Sequence, residues 1–183
     1  MGSIYKGSTK VNKLYVGSKA IQKVYKGSTL IWSALLNSAG TATITYSNAT
    51  GTHSLIVIGD QGIHSLTDFS NNNSTYTASW PSNDGEELNI LPWLTSGSIS
   101  INMTASGGFN AVTTLNLGGY IRNGYGAVCV TIPAMPNLKA VTLGGGWAGY
   151  SEVSSTSADT LSIIKKLLPN SIYISSTRLQ LRY

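Results

Sequence analysis

The stretch VTTLNLGGY at residues 112–120 recurs as LKAVTLGG at residues 138–145. Both stretches have aliphatic residues at their first, fourth and sixth positions, followed by two glycines, and Leu143 follows Leu117 by 26 residues. Self-similarity at such a period is typical of solenoids, in which each unit is too small to bury its apolar face alone and stacks on the next. The repeat therefore predicts a mainly β domain, a β-solenoid, over residues 34–183.

The sequence on either side of this repeat is also rich in strand-forming residues. β-Branched or alternating apolar runs, bounded by turn residues, predict further strands. These runs are Thr41–Tyr46, Leu55–Ile58, Tyr76–Trp80, Ser98–Met103 and Val128–Ile132. A short helix is also considered at residues 82–91, where the following Pro92 would prevent a long one.

The strongest helix pattern lies near the end of the chain. Leu161, Ile164 and Leu167 recur on one helical face, and Ser157 or Asp159 can serve as the N-cap. Two lysines fall near the expected C-terminus, where the helix dipole favours cations. We therefore expect one or two short helices beside the strands.

A helix, a Pro-Asn turn and a strand follow one another at residues 158–174, and a Pro-Asn pair also precedes the strand at residues 138–143. In this order of elements, residues 34–183 resemble the irregular leucine-rich-repeat domains of bacterial and phage surface proteins. They depart from that pattern because glycine follows each strand where an asparagine ladder would stand. A β-sandwich or barrel, in which Leu-x-Leu-Gly-Gly recurs by accident, is the alternative fold.

A shorter repeat opens the chain: residues 4–13 are IYKGSTKVNK, residues 14–23 are LYVGSKAIQK and residues 24–32 are VYKGSTLIW. The glycine of each repeat supplies the positive φ of a tight turn, which predicts a β-meander or hairpins with strands at 11–15 and 21–25. Two-stranded pieces of this size are marginal in water. We therefore expect an arm, residues 1–33, that needs a partner: another copy, the rest of the chain or a larger assembly.

These tandem Tyr-x-Gly-Ser repeats, ending in Ile-Trp, resemble the N-terminal segments of virion proteins of tailed bacteriophages, namely tail, baseplate or head-fibre proteins. The resemblance covers residues 4–32 and implies a structural or host-contact role without catalytic residues. It implies other virion proteins as partners and a homo-oligomer, commonly a trimer. The expected assembly contacts are Tyr5, Gly7, Tyr15, Gly17, Tyr25, Gly27 and Trp32.

The composition argues against catalysis. Charged residues make up 10% of the 183 residues, against about 25% in typical globular proteins, while hydrophobic residues make up 42%. Ser, Thr, Asn and Gly take the place of charge, whereas a catalytic site usually combines several ionisable groups. Residues 1–59 hold six lysines and no acid. The repeat positions of these lysines favour solvated strand faces or protected strand edges, with an acidic partner or nucleic acid as the alternatives. No nucleic acid is expected.

Motifs for chemistry are scarce. His53 and His64 are the only histidines, and the glycines around His64 argue against a helix that would align Asp60, His64 and Asp68 as metal ligands. There is no Gly-x-Ser-x-Gly elbow and no phosphate loop. Cys129, the only cysteine, is expected to be a buried small hydrophobe. We therefore expect no enzyme, no metal and no cofactor.

The chain lacks an N-terminal apolar segment of the secretory type and any apolar run near the about 20 residues of a membrane helix. We therefore expect no membrane association and a virion location after synthesis in a host cytoplasm. Aromatic residues in Gly-, Ser- and Asn-rich segments are candidate ligand or receptor contacts, with packing over the core or subunit contact as alternatives. They are Trp80, Trp93, Tyr120, Tyr125, Trp147 and Tyr150, of which the last four are the expected contacts.

Together these features predict a non-enzymatic phage virion structural or accessory protein, a fibre, tail or capsid-decorating protein that contacts a host-surface glycan or protein. The alternative is a bacterial cell-surface adhesion module whose leucine-rich-like domain is the binder.

Overall fold

A computed structural model of the chain describes residues 5–182, apart from residues 7, 12–13, 18, 22, 122–125, 145 and 148–149. It divides into two compact units, Met1–Leu36 and Asn37–Tyr183. The assembly role expected of the first unit and the leucine-rich-like character of the second stay predictions.

Among the residues that the structure describes, the first unit contains three antiparallel hairpins. Its strands are β1 (Tyr5–Lys6), β2 (Thr9–Lys10), β3 (Leu14–Val16), β4 (Lys19–Ile21), β5 (Lys23–Lys26) and β6 (Thr29–Ser33). They pair as β1–β2, β3–β4 and β5–β6. Gly17 and Gly27 have φ of 59° and 60°, as expected for two-residue hairpin turns.

The hairpins predicted for the repeats are confirmed in the described residues, whereas the alternative, a meander, is not found there. The predicted strand runs at 11–15 and 21–25 are matched only in part. Val11 lies outside a strand, and β4 ends at Ile21 before β5 begins at Lys23. A two-residue turn pairs the residues that flank it, Val16 with Lys19 and Lys26 with Thr29. Pairing is therefore completed inside each repeat instead of between repeats.

The second unit is mainly β, with one helix among its described residues. Its elements are β7 (Gly40–Ile58), β8 (Gln61–Asn72), β9 (Thr75–Trp80), β10 (Glu87–Thr104), β11 (Thr114–Leu117), β12 (Tyr120–Ile121), β13 (Ala127–Ile132), β14 (Ala140–Leu143), β15 (Gly146–Trp147), β16 (Tyr150–Ser155), α1 (Ala158–Leu167), β17 (Ile172–Ser175) and β18 (Arg178–Gln180). The strands form one mixed sheet that is not closed. No helix in the described part of the chain has the length and apolarity that crossing a membrane requires.

The middle of the sheet consists of three neighbouring lines, each of which is either one long strand or three short strands that follow one another. β10 is the first line, β11, β12 and β13 run parallel to it as the second, and β14, β15 and β16 run parallel to those as the third. On the far side of β10 lies antiparallel β7, which is flanked by β8 and β9. Beyond β16 come antiparallel β18 and then β17, at the opposite edge.

The repeat at residues 112–120 and 138–145 places β11 and β14 side by side in register. Leu115 pairs with Val141 and Leu117 with Leu143, which confirms the offset of 26 residues as a structural repeat. Leu88 of β10 pairs with Leu115 in the same way, so a third copy precedes the two that the sequence showed. The aliphatic side chains of Leu88, Leu115 and Leu117 are fully buried in the core.

The paired glycines of the repeat allow the lines to approach closely. Gly119 has a φ of 108°, and a Cβ there would clash with the carbonyl oxygen of Pro92. A Cβ on Gly144 would lie 2.8 Å from the Cα of Gly118. These glycines are therefore required by contact between neighbouring lines, and not only by a turn.

The C-terminal helix confirms its prediction, whereas the helix considered at residues 82–91 was wrong. In α1 the side chain of Ser157 accepts a hydrogen bond from the N–H of Thr160, and Leu161 and Ile164 are buried. β10 instead begins at Glu87 and continues through Pro92. The strand tolerates this proline because its pairing with β7 is irregular just after Pro92. Pairing on both sides of β10 overrides the local turn and helix signals.

Candidate functional site

The solvent side of the sheet carries a regular array of hydroxyl and amide side chains. In β7 the residues Ala42 and Ile44 point into the core, so the threonines that alternate with them face solvent. The same alternation holds in β9, β10 and β13. We call this array the hydroxyl face: Thr41, Thr43, Thr45, Thr75, Thr77, Ser79, Ser100, Asn102, Thr104 and Thr131.

Strand register aligns these side chains in rows that cross the sheet. Thr77, Thr43, Asn102 and Thr131 form one row, from β9 to β13. Neighbouring hydroxyls are in contact in other rows: the Oγ1 atoms of Thr41 and Thr104 lie 3.0 Å apart. Strands about 4.8 Å apart, with side chains on one face about 6.7 Å apart along each strand, make the array a regular lattice that follows the twist of the sheet.

The strand segments under this face carry no charged residue. Within residues 41–45, 75–80, 98–104 and 127–131, all of which the structure describes, no residue is Asp, Glu, Lys or Arg. Beyond β13, Glu152 of β16 and Arg178 of β18 are charged, and Arg178 Nη1 lies 3.3 Å from Glu152 Oε1. The face can donate and accept hydrogen bonds in many places, but it offers no acid or base.

A cleft of about 640 Å³ adjoins one end of the hydroxyl face. It lies at the carboxyl ends of β10 and β13, and Thr41, Asn102, Thr104 and Thr131 belong to both the cleft and the face. The loop after β10 forms one wall, where Gly108, with a φ of 73°, packs against the backbone of Ala134. A polymer lying on the face can therefore continue into a concave end.

An amide ladder runs beside the same face, at the other end of β10. Asn116 Nδ2 donates to Asn89 Oδ1 at 3.0 Å, and Thr142 Oγ1 donates to Asn116 Oδ1 at 2.9 Å. An asparagine ladder was not expected, because glycine follows each strand. The ladder lies inside the strands instead. It could have been predicted from the polar residue at the centre of the repeated Leu-Asn-Leu and Val-Thr-Leu triplets.

Trp93 is the exposed aromatic residue of β10, with 42% of its surface accessible. Its ring centroid lies 5.1 Å from that of His53, its register partner on β7, at an interplanar angle of 36°. Trp93 belongs to the candidate aromatic residues of the sequence but was not among the expected contacts. The alternation of buried and exposed residues in β10 indicates its exposure: Leu94 is buried, so the neighbouring side chain of Trp93 points to solvent.

Three of the four predicted ligand contacts lie in strands. In backbone register Tyr120 of β12 pairs with Trp93, Trp147 of β15 pairs with Ile121, and Tyr150 of β16 pairs with Ala127. Tyr125 lies outside the described residues, and the roles of all four stay predictions.

The predicted assembly contacts lie in the hairpins of the first unit. Tyr15 and Tyr25 are exposed, and Gly17 and Gly27 form turns. Tyr5 belongs to β1 and Trp32 to β6, where it pairs with Val24, while Gly7 lies outside the described residues. Their role in assembly stays a prediction.

The perturbed titratable groups lie away from the cleft. Tyr46 Oη and His64 Nε2 are 3.0 Å apart on the core side; burial raises the pKa of Tyr46 to about 12 and lowers the pKa of His64. Burial, with the nearby carboxylate of Glu152, also raises the pKa of Cys129, which keeps this thiol protonated. The expectation that Cys129 is a buried residue was wrong: it is only partly buried, because it alternates with the buried Val128 and Val130 and pairs with Ser100. Among the described residues, no group of three His, Cys, Asp or Glu side chains is placed to hold a metal ion.

No protein-family model matches this chain, and neither a curated protein nor a solved structure does. Its function has to be inferred from its own residues.

Proposed function

We propose that this protein is a non-enzymatic attachment protein of a phage virion, a fibre, tail or capsid-decorating component whose second unit binds a neutral glycan of the host surface. The observation that carries the proposal is the hydroxyl face, an uncharged array that spans four strands. The resemblance of the repeats at residues 4–32 to virion proteins supports the particle context.

The chemistry of the face favours a glycan over other polymers. Each Ser or Thr hydroxyl can both donate and accept a hydrogen bond, which matches the hydroxyl groups of a sugar. Nucleic acid is favoured by Lys and Arg side chains that neutralise phosphates, and the strands of the face carry neither. Trp93 adds an exposed aromatic surface on the same side of β10, against which the C–H face of a sugar ring can pack.

The three parallel lines are best explained as successive coils of a β-solenoid. A straight strand from Glu87 to Thr104 would span roughly 56 Å, whereas the link from Thr104 to Thr114 reaches at most about 36 Å when fully extended. Thr114 nevertheless pairs with Glu87, at the start of β10. The line must therefore bend, as in a coil, which agrees with the leucine-rich-like repeat of 26 residues.

The first unit is the proposed anchor and oligomer contact. Its hairpins have two or three residue pairs each in the first two repeats, which is too little to stabilise them alone. Exposed Tyr15, Val16 and Tyr25 supply apolar surface for a partner. Other virion proteins and further copies of this chain, as in a trimer, are the partners proposed for it.

Binding to polysaccharides tests the glycan part of the proposal. The full chain should bind uncharged bacterial polysaccharides in titration calorimetry. The double variant Thr43→Val with Thr77→Val, which removes two hydroxyls from one row, should weaken binding by about tenfold. Thr177→Val, an exposed threonine in the turn between β17 and β18 and away from the face, is the matched control and should bind as the parent does.

A preference for polyanionic polymers, or equal binding by the double variant and the parent, would contradict the glycan proposal. The particle context is tested by mass spectrometry of purified virions, in which the protein should be present at a fixed copy number. Recovery from the bacterial cell surface instead would favour the adhesion-module alternative.

A further inference from the structure

The cleft of about 640 Å³ that adjoins the hydroxyl face differs from that face in its chemistry. The face is built from hydroxyl and amide side chains, whereas most of the surface inside the cleft is apolar. Small-molecule sites of about 300–1,000 Å³ usually combine an apolar lining with a few polar groups. The apolar residues here are Met103, Ala105, Ile132, Pro133 and Ala134, and none of the described residues that line the cleft is charged. The cleft is therefore suited to an uncharged group that carries apolar surface.

The loop after β10 forms a wall of the cleft that backbone hydrogen bonds hold in place. The N–H of Gly108 donates to the carbonyl oxygen of Ala105 at 3.0 Å, which closes a turn, and the carbonyl oxygen of Gly108 accepts from the N–H of Ser38 at 2.9 Å. The N–H of Phe109 donates to the carbonyl oxygen of Ala134 at 2.7 Å. A wall that is fixed before binding reduces the conformational entropy that is lost when a ligand enters.

A side-chain amide lies where the hydroxyl face meets the cleft. Asn102 belongs to both, it is exposed, and its register partners in one row of the face are Thr43 and Thr131. A primary amide can donate one hydrogen bond and accept another at the same time. The acetamido group of a sugar needs such a partner, since its N–H donates and its C=O accepts, and its methyl group gains from apolar contact.

We propose that the cleft binds the acetamido group of an N-acetylated sugar unit, while neighbouring units of the same glycan lie on the hydroxyl face. This inference rests on the proposed function and narrows it from neutral glycans in general to those that contain N-acetylated amino sugars. Asn102 exchanges hydrogen bonds with the acetamido group, and the methyl group lies against Ala105 and Ala134. An unsubstituted hexose would set a hydroxyl against this apolar surface, where it loses hydrogen bonds to water.

Two uncharged pentasaccharides with the same β-1,4 linkage test this site separately from glycan binding in general. Chitopentaose carries an acetamido group on every unit at the position where cellopentaose carries a hydroxyl. In titration calorimetry of the full chain, chitopentaose should bind at least about tenfold more tightly, as expected for a buried methyl group and a net hydrogen bond. In saturation-transfer difference NMR of the same complex, the acetamido methyl protons should receive the strongest saturation.

Four variants locate the preference in the cleft. Asn102→Leu keeps the size of the side chain but removes its donors and acceptor, and Ser106→Leu adds bulk at an exposed position of the cleft wall. Each should reduce the preference for chitopentaose to less than about threefold. Ser100→Ala, which removes a hydroxyl of the face outside the cleft, should weaken both pentasaccharides alike, and Ser162→Leu, on the exposed side of α1, should bind as the parent does. Circular dichroism melts show which variants are folded, and the NMR measurement on the parent chain needs no variant.

Equal affinity for the two pentasaccharides, or a preference that survives both cleft variants, would overturn the acetamido site and leave glycan binding by the hydroxyl face intact. Absence of binding by either pentasaccharide would overturn the site as well. The titration of neutral polysaccharides, with the double variant of Thr43 and Thr77, then decides on the proposed function by itself, so the two failures are distinguishable.

Discussion

Replacement of Asn37 by alanine should be the most damaging single change of a polar side chain in the second unit. Asn37 is fully buried, and its side chain joins two distant loops. Its Oδ1 accepts from the N–H groups of Ala111 and Val112 at 3.0 and 3.2 Å. Its Nδ2 donates to Asn83 Oδ1 at 2.9 Å and to the carbonyl oxygen of Gly85 at 2.8 Å.

The expected loss follows from these four hydrogen bonds. Asn37→Ala leaves buried donors and acceptors without their partners, at about 1–3 kcal/mol for each group that water cannot reach. Because water entering the vacated space relieves part of that cost, we expect a net loss of about 3–5 kcal/mol in the free energy of unfolding. For a domain of this size the melting temperature should fall by about 6–20 °C.

Urea and thermal unfolding of the full chain, followed by circular dichroism, measure this loss. Ser79→Ala, on the exposed side of β9, is the control and should change the free energy of unfolding by less than about 0.5 kcal/mol. Asn37→Asp keeps an acceptor for the two N–H groups but sets an oxygen against the carbonyl of Gly85. Its folded-state pKa should be raised, so its stability should fall as pH rises above about 4.

A free energy of unfolding for Asn37→Ala within about 0.5 kcal/mol of the parent would refute the reasoning, since it would mean that these loops do not depend on the buried amide.

Three further predictions concern backbone, pH and thiol chemistry. Gly119→Ala should destabilise the fold by about 2–4 kcal/mol in urea unfolding, because its φ is 108° and the new Cβ meets Pro92, whereas Gly62→Ala, with open space around it, should be nearly neutral. The lowered pKa of His64 means that the unfolded chain takes up its proton first. Stability should therefore be full above about pH 6.5 and decline as pH falls toward the folded-state pKa, and His64→Gln should flatten this dependence. Cys129 should react with a thiol reagent at pH 7 several times more slowly in the folded chain than in urea, because its pKa is raised, and equal rates would contradict its burial.

Features encoded in short stretches were predictable from the amino-acid order. The Gly-Ser turns of the hairpins, the helix with its Ser157 cap and the alignment of Leu117 with Leu143 all depend on residue types within a few positions, or on a repeat that can be counted. Local backbone preference and burial of a repeated apolar stripe act in the same direction there, so nothing overrides them.

Features that depend on register between distant segments were not predictable. The hydroxyl face joins Thr41 to Thr104, 63 residues away, and Thr45 to Thr75, 30 residues away. Alternating threonines in one strand indicate only that a face is polar. Their alignment into rows follows from which strand pairs with which, and that pairing is set by the burial of the opposite face.

The same cause accounts for the errors and omissions. Pro92 reads locally as the end of a helix, yet it lies inside β10 because strands on both sides bury Ile90 and Leu94. Asn37 stands in an unremarkable stretch, and only the folded chain brings the backbone of Ala111 and Val112 to its side chain. Composition and periodicity thus specify a mainly β chain with little charge, while long-range pairing places its polar groups, because hydrogen bonds across a sheet join residues that are far apart in sequence.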